Sequence, residues 1–160
     1  GYLTVLNTVL ALCGSTLATY VFSKLIRGKI EVEDIANAAL AGGVCIGSTC
    51  STANPGFAMV IGICAGTLST LGFAIIAPKV CKLIRGTDTC GVHNLHGMPG
   101  LLGGLFGIAI TGNVGVQVGA VVATVVVGLV LGRVCGAILG LFGTKEVPYS
   151  DEGDFLLEEE

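Results

Sequence analysis

Charged side chains are scarce in this chain. Asp, Glu, Lys and Arg make up 12% of its 160 residues, about half of what a soluble domain carries. The few charges are also bunched. None stands between Asp34 and Lys79, none between Asp88 and Arg133, and none over residues 1–23. A soluble core has no need of such runs. A bilayer does, because a charge at its centre costs about 2.5–3.5 kcal/mol even on the most lenient scale. Strand-length alternation of apolar and polar residues is missing, which argues against a membrane β-barrel. No nucleophile–base constellation, phosphate-cradling loop or metal-ligand cluster occurs, so neither an enzyme nor a cofactor is expected, and no nucleic-acid partner. The seven cysteines lack paired ligand spacing and read as small apolar packing residues. No basic region precedes the first apolar run, so no signal peptide is expected. What remains is an all-α polytopic membrane protein.

The spans follow from the uncharged runs, at about 20 residues per crossing. Residues 2–23 form the first and exit through Lys24, Arg27 and Lys29. Glu31, Glu33 and Asp34 then suit the N-terminus of a second helix, where acids meet the positive end of the macrodipole. The run from Asp34 to Lys79 is long enough for two spans, 33–50 and 57–77. They break at the turn-rich Ser51-Thr52-Ala53-Asn54-Pro55-Gly56 and end at Pro78. The run after Asp88 again holds two, 92–111 and 116–141, broken near Thr111-Gly112-Asn113-Val114-Gly115. Residues 1–145 are thus a membrane segment of five spans. Residues 146–160 are an acidic tail with a hydrophobic anchor at Phe155-Leu156-Leu157. Basic residues collect after spans one, three and five, so that side and the C-terminus are expected in the cytoplasm. An odd span count with an outside, signal-free start is expected of a chain whose upstream part is missing.

Glycines recur every four residues at Gly62 and Gly66, at Gly103 and Gly107, and at Gly128, Gly132, Gly136 and Gly140. This spacing lets helix backbones approach closely in lipid. Arg133 interrupts the last ladder and is expected to snorkel toward the inner surface.

Both histidines stand in the fourth span, three residues apart and on one helix face. Three readings compete. Each ring can bond a carbonyl of a neighbouring helix; the pair can chelate a metal, although no Asp, Glu or Cys completes the site; or the rings line a pathway, since imidazole donates and accepts hydrogen bonds without carrying charge. Counting from Asp88 at about 1.5 Å per residue, His96 lies about 12 Å in, near the midplane, and His93 about 7–8 Å in. Asp88 reads as a helix cap or as an acid at the mouth. Gly97-Met98-Pro99-Gly100 loosens the helix beside His96.

The run Asp88-Thr89-Cys90-Gly91-Val92-His93-Asn94-Leu95-His96-Gly97-Met98-Pro99-Gly100-Leu101-Leu102-Gly103-Gly104 resembles the signature of the Rhesus (Rh) glycoprotein branch of the ammonium transporter family. Ile35-Ala36-Asn37-Ala38-Ala39-Leu40-Ala41-Gly42-Gly43-Val44, Gly66-Thr67-Leu68-Ser69-Thr70-Leu71-Gly72-Phe73 and the acidic tail agree in the same order. The resemblance implies a fold of two inverted halves with a pore in each subunit of a homotrimer, and this chain corresponds to the second half. It implies passage of ammonia or ammonium, with methylammonium or carbon dioxide as further candidates, across what is expected to be the plasma membrane. His96 matches the second of two mid-pore histidines and is the expected conduction residue. His93, Asn94 and Asp88 match the inner vestibule. The link between spans four and five is shorter than in typical members, and Arg133 stands where they are apolar. The alternative is a non-transporting membrane scaffold, a remnant of such a protein.

Overall fold

The computed structural model describes residues 1–88 and 90–143; Lys145 and the tail expected over 146–160 lie outside the described residues. Among the described residues every regular element is helical. Five helical rods follow one another. The first is α1, Tyr2–Arg27, closed by Gly28 in the left-handed region at φ 75. Lys24 and Arg27 fall in its last turn, where cations meet the negative end of the dipole.

The second rod is irregular. It runs as α2 (Val32–Asn37), a tight 3-10 turn at Ala38–Leu40, and α3 (Ala41–Ile46). Ser15 of α1 explains the break. Its hydroxyl donates to the Ala38 carbonyl at 2.8 Å and accepts from the Gly42 N–H at 3.0 Å. Those two backbone groups would bond each other in an α-helix. A side chain inserted into the i→i−4 ladder is a recognised cause of such irregularity. Asn7 does similar work two turns nearer the start of α1, donating to the carbonyls of Cys50 and Ala53 at 2.9 and 2.8 Å. It thereby pins the turn that follows α3.

The third rod is α4 (Pro55–Leu71), a π turn (Gly72–Ile76) and α5 (Ala77–Ile84). Asn54 caps it, its side chain accepting from Gly56 N at 2.9 Å, and Pro55 takes the first position, where no N–H is needed. The stop expected at Pro78 does not occur: the rod continues to Ile84, giving 30 helical residues. A proline removes an N–H and crowds the preceding turn. Here the preceding turn is already widened, with Ala77 N–H reaching past the α partner to Gly72 O. The fourth rod repeats the device. A π turn at His93–Gly97 precedes α6 (Met98–Thr111), Met98 N–H bonds His93 O, and Pro99 follows. The fifth is α7, Val114–Gly140.

Three stretches, Tyr2–Arg27, Pro55–Ile84 and Val114–Gly140, are long and apolar enough to cross a membrane on length and composition alone. Contacts divide the chain into two units, residues 1–122 and 123–160. The first holds a core around Ala11, Ala41, Cys45, Ile46, Ala58, Ile61 and Ala65, with Leu95 and Leu102 packed against it. In the second, the described residues are exposed, Arg133 included. The expected glycine pair on α4 is a close contact: Cβ atoms at Gly62 and Gly66 would overlap the carbonyl oxygens of Ala11 and Ser15. The glycines of α7 from Gly128 to Gly140 differ, with open space where a Cβ would stand.

At the charged end of α1, Arg27 grips Asp34 with two bonds, Nε to Oδ2 and Nη2 to Oδ1, each 3.0 Å. Asp34 is fully buried while Arg27 keeps a side-chain exposure of 27%. The asymmetry sets a prediction. Arg27→Ala strands a buried carboxylate and is expected to cost about 3 kcal/mol. Asp34→Ala leaves a guanidinium that water can reach, and should cost less. Thermal melting of the two purified variants orders them, and the reverse order would contradict the pairing.

Candidate functional site

The π turn His93–Gly97 places its side chains in distinct surroundings. Asn94 is buried, Leu95 packs against the core, and His93 and His96 are both exposed. Pro99 one turn on is buried. The turn is thus held by Asn94, Leu95 and Pro99 and presents its imidazoles outward. The shared α-helical face expected for the histidines is loosened, because a π turn carries more residues per turn and spreads i,i+3 neighbours further round. Among the described residues no group of His, Cys, Asp and Glu is placed to hold a metal ion.

Asp88 caps this rod. Its Oδ1 accepts from Val92 N at 2.9 Å and its Oδ2 from His93 N at 3.0 Å. Two of the amide groups that a helix start leaves without partners are satisfied by one carboxylate, whose charge also suits that end of the dipole. Asp88→Ala is expected to lose about 1 kcal/mol of stability. Circular dichroism melting measures it, and an unchanged melting temperature would remove the cap from the account.

Beside the cap lies a cavity of about 260 Å³ lined by Ala77, Val80, Cys81, Ile84, Thr87, Asp88 and His93. One wall is the apolar side of α5, and the other is the segment leading into the π turn. His93 and Asp88 therefore share one hollow, while Asn94 is buried in the protein and His96 lies outside that lining. Sequence reasoning missed the α5 wall, since Pro78 was expected to end the rod before Val80, Cys81 and Ile84. A spacing shared by the two rods was available as a signal. The first residue of each π turn, Gly72 or His93, stands six positions before a proline, Pro78 or Pro99.

Residues 1–152 match the Ammonium Transporter Family. The chain belongs to that family. Among its relatives, the ammonium transporter Rh type B of Sus scrofa is 46% identical over 112 residues, which are 68% of this chain and 24% of that protein. The Rh type A ammonium transporter of Bos taurus is 46% identical over 111 residues, 67% of this chain and 26% of that protein. The chain thus spans about a quarter of the length of the curated relatives it matches. Its fold is similar to that of a solved structure of Rh50 from Nitrosomonas europaea, described as a channel of the Rhesus protein family. The TM-score is 0.88 at 46% identity, over 99% of this chain and 42% of that one. The ammonium-transporter fold that the resemblance implies is thus shown, and the family supports the membrane setting read from the charge-free runs.

Proposed function

We propose that this chain is the second half of an Rh-type channel, carries ammonia or ammonium across a membrane as part of a homotrimer, and uses His96 as its conduction residue. The observation that carries the reading is the π turn itself: three buried or half-buried neighbours fix it, and it holds an imidazole out of the bundle within a long apolar run. His93 and Asp88 line the inner vestibule, and Asn94 supports them from behind. The C-terminus faces the cytoplasm of a cell whose plasma membrane holds the protein. Methylammonium is the natural tracer for the substrate, and carbon dioxide a second neutral cargo of similar size.

The physical logic is one of desolvation. An ammonium ion loses its hydration in a narrow apolar pore at a cost far above what weak contacts return. Neutral ammonia avoids most of that cost but still requires a hydrogen-bond partner along the way. A neutral imidazole offers one without a fixed positive charge that would repel the approaching cation. No observation favours the scaffold reading over this one. The test is ammonium and methylammonium flux into liposomes containing the intact protein. Flux equal to that of protein-free liposomes overturns the proposal.

A further inference from the structure

The two π turns touch. A Cβ on Gly72, the first residue of the π turn in the third rod, would overlap the Met98 methyl and stand 2.8 Å from Asn94 Oδ1. Next to it, the Phe73 ring lies on Gly91, where a Cβ would overlap two ring carbons. Phe73 is buried, and Gly91 stands at φ 64, where a side chain is strained in any case. The third rod therefore grips the fourth on either side of His93, at Gly91 before it and at Asn94 and Met98 after it. His96 sits between Asn94 and Met98 in the chain. Asn94 is 1% exposed, yet its side-chain oxygen has no hydrogen-bond partner among the described residues. The fit of that side chain to a residue without a Cβ, rather than a hydrogen bond accepted by its oxygen, seats the turn.

We propose that this contact is a positioning joint: Gly72 and the Asn94 side chain seated on it set where the His96 ring stands. The proposal rests on the reading of His96 as the conduction residue. Its lever is the π turn. A π turn holds one residue more than the α turn it replaces. If it relaxes to α geometry, the residues on one side rotate by about 100° relative to those on the other. A joint that grips residues on both sides of His93 holds the widened form. A methyl at Gly72 meets the middle of that grip and drives Asn94 and Met98 away.

The experiment uses the intact protein in liposomes, with methylammonium flux as one readout. The other is the rate at which diethyl pyrocarbonate modifies His96, read by mass spectrometry. His96→Ala is run first. If it leaves flux unchanged, the conduction reading fails and the joint has nothing to position. If it lowers flux about tenfold or more, Gly72→Ala decides the joint. The expected result is protein that stays monodisperse, with flux lowered about tenfold or more, as small misplacements of a working group commonly do, and His96 modified at a changed rate. Adding Met98→Ala removes the methyl that the new Cβ overlaps most, leaving the contact with Asn94 Oδ1, and is expected to restore part of the lost flux, a rescue that general destabilisation would not show. Flux and His96 modification both within about twofold of the parent in Gly72→Ala would overturn the proposal, since a real displacement costs more. Should Gly72→Ala fail to fold, Asn94→Ala carries the test. It takes away the seated side chain and adds no atoms, and parent-like flux and modification there overturn the proposal equally.

Discussion

Replacing His96 by alanine in the intact protein is expected to lower ammonium and methylammonium flux by about tenfold to a hundredfold. The figure follows from one hydrogen bond. A polar solute that loses its partner inside an apolar passage gives up about 1–3 kcal/mol, and each 1.4 kcal/mol on a barrier is about tenfold in rate. Alanine leaves the passage wider but dry, so size does not compensate. The exposed imidazole makes no hydrogen bond that an alanine would break among the described residues, and the turn's buried anchors, Asn94, Leu95 and Pro99, are untouched. The variant should therefore fold like the parent. His93→Ala is the matched comparison. That ring stands at the cavity beside Asp88, which the proposed function makes the entrance. Its loss is expected to change flux by no more than about threefold, since a residue bordering water leaves solvent to replace it. Stopped-flow measurement of pH inside liposomes after an ammonium jump follows both variants. Equal fluxes in the parent and His96→Ala would end the conduction role.

Much of the architecture was legible because it is written in charge. Asp34, Lys79, Asp88 and Arg133 bound runs whose lengths permit a few helices and no other arrangement, and the turn residues around Asn54 and Gly112 mark where each run folds back. Gly62 and Gly66 were legible as a contact by their spacing, although not their partner. The backbone irregularities were not. Ser15 reads in the sequence as one small polar residue in an apolar helix, yet it opens the ladder of a helix more than twenty residues away. That effect is tertiary and has no local trace. Pro78 reads as a stop because prolines end most helices. In this rod the donor it lacks and the room its ring takes are both absorbed by the widened turn before it. The site divided the same way. Asp88 as a cap follows from an acid ahead of a helix start, and the structure places both oxygens on backbone amides. Asn94 was grouped with His93 in the inner vestibule, but successive helical residues face different ways, and Asn94 is buried while His93 is exposed.

The second large effect is expected at the contact between α1 and α4. Gly62→Leu should cost about 3 kcal/mol or more, at the upper end of what overpacking does. The reason is what the added atoms meet. Beyond the Ala11 carbonyl oxygen, a Cβ at Gly62 would lie 2.7 Å from the carbonyl carbon and 2.8 Å from the Cα of the same residue. All of these are backbone, so no rotamer of a neighbour relieves the overlap and the helices must part. Parting them strikes several bonds at once. Ser15 bridges α1 to the second rod from the next turn, and Asn7 ties α1 to the turn at Cys50 and Ala53. Lipid supplies no hydrophobic force to push the helices back together, so packing and these hydrogen bonds are what hold them. Gly43→Ala is the contrast. Its Cβ would stand 3.0 Å from Leu12 Cδ2, the free end of a flexible side chain. That side chain can turn aside at a cost within about 1 kcal/mol. Thermal melting in detergent, followed by size-exclusion profile, separates the two. Gly62→Leu should aggregate or melt many degrees early while Gly43→Ala stays near the parent. Parent-like melting of Gly62→Leu would mean that α1 and α4 do not meet backbone to backbone at Ala11.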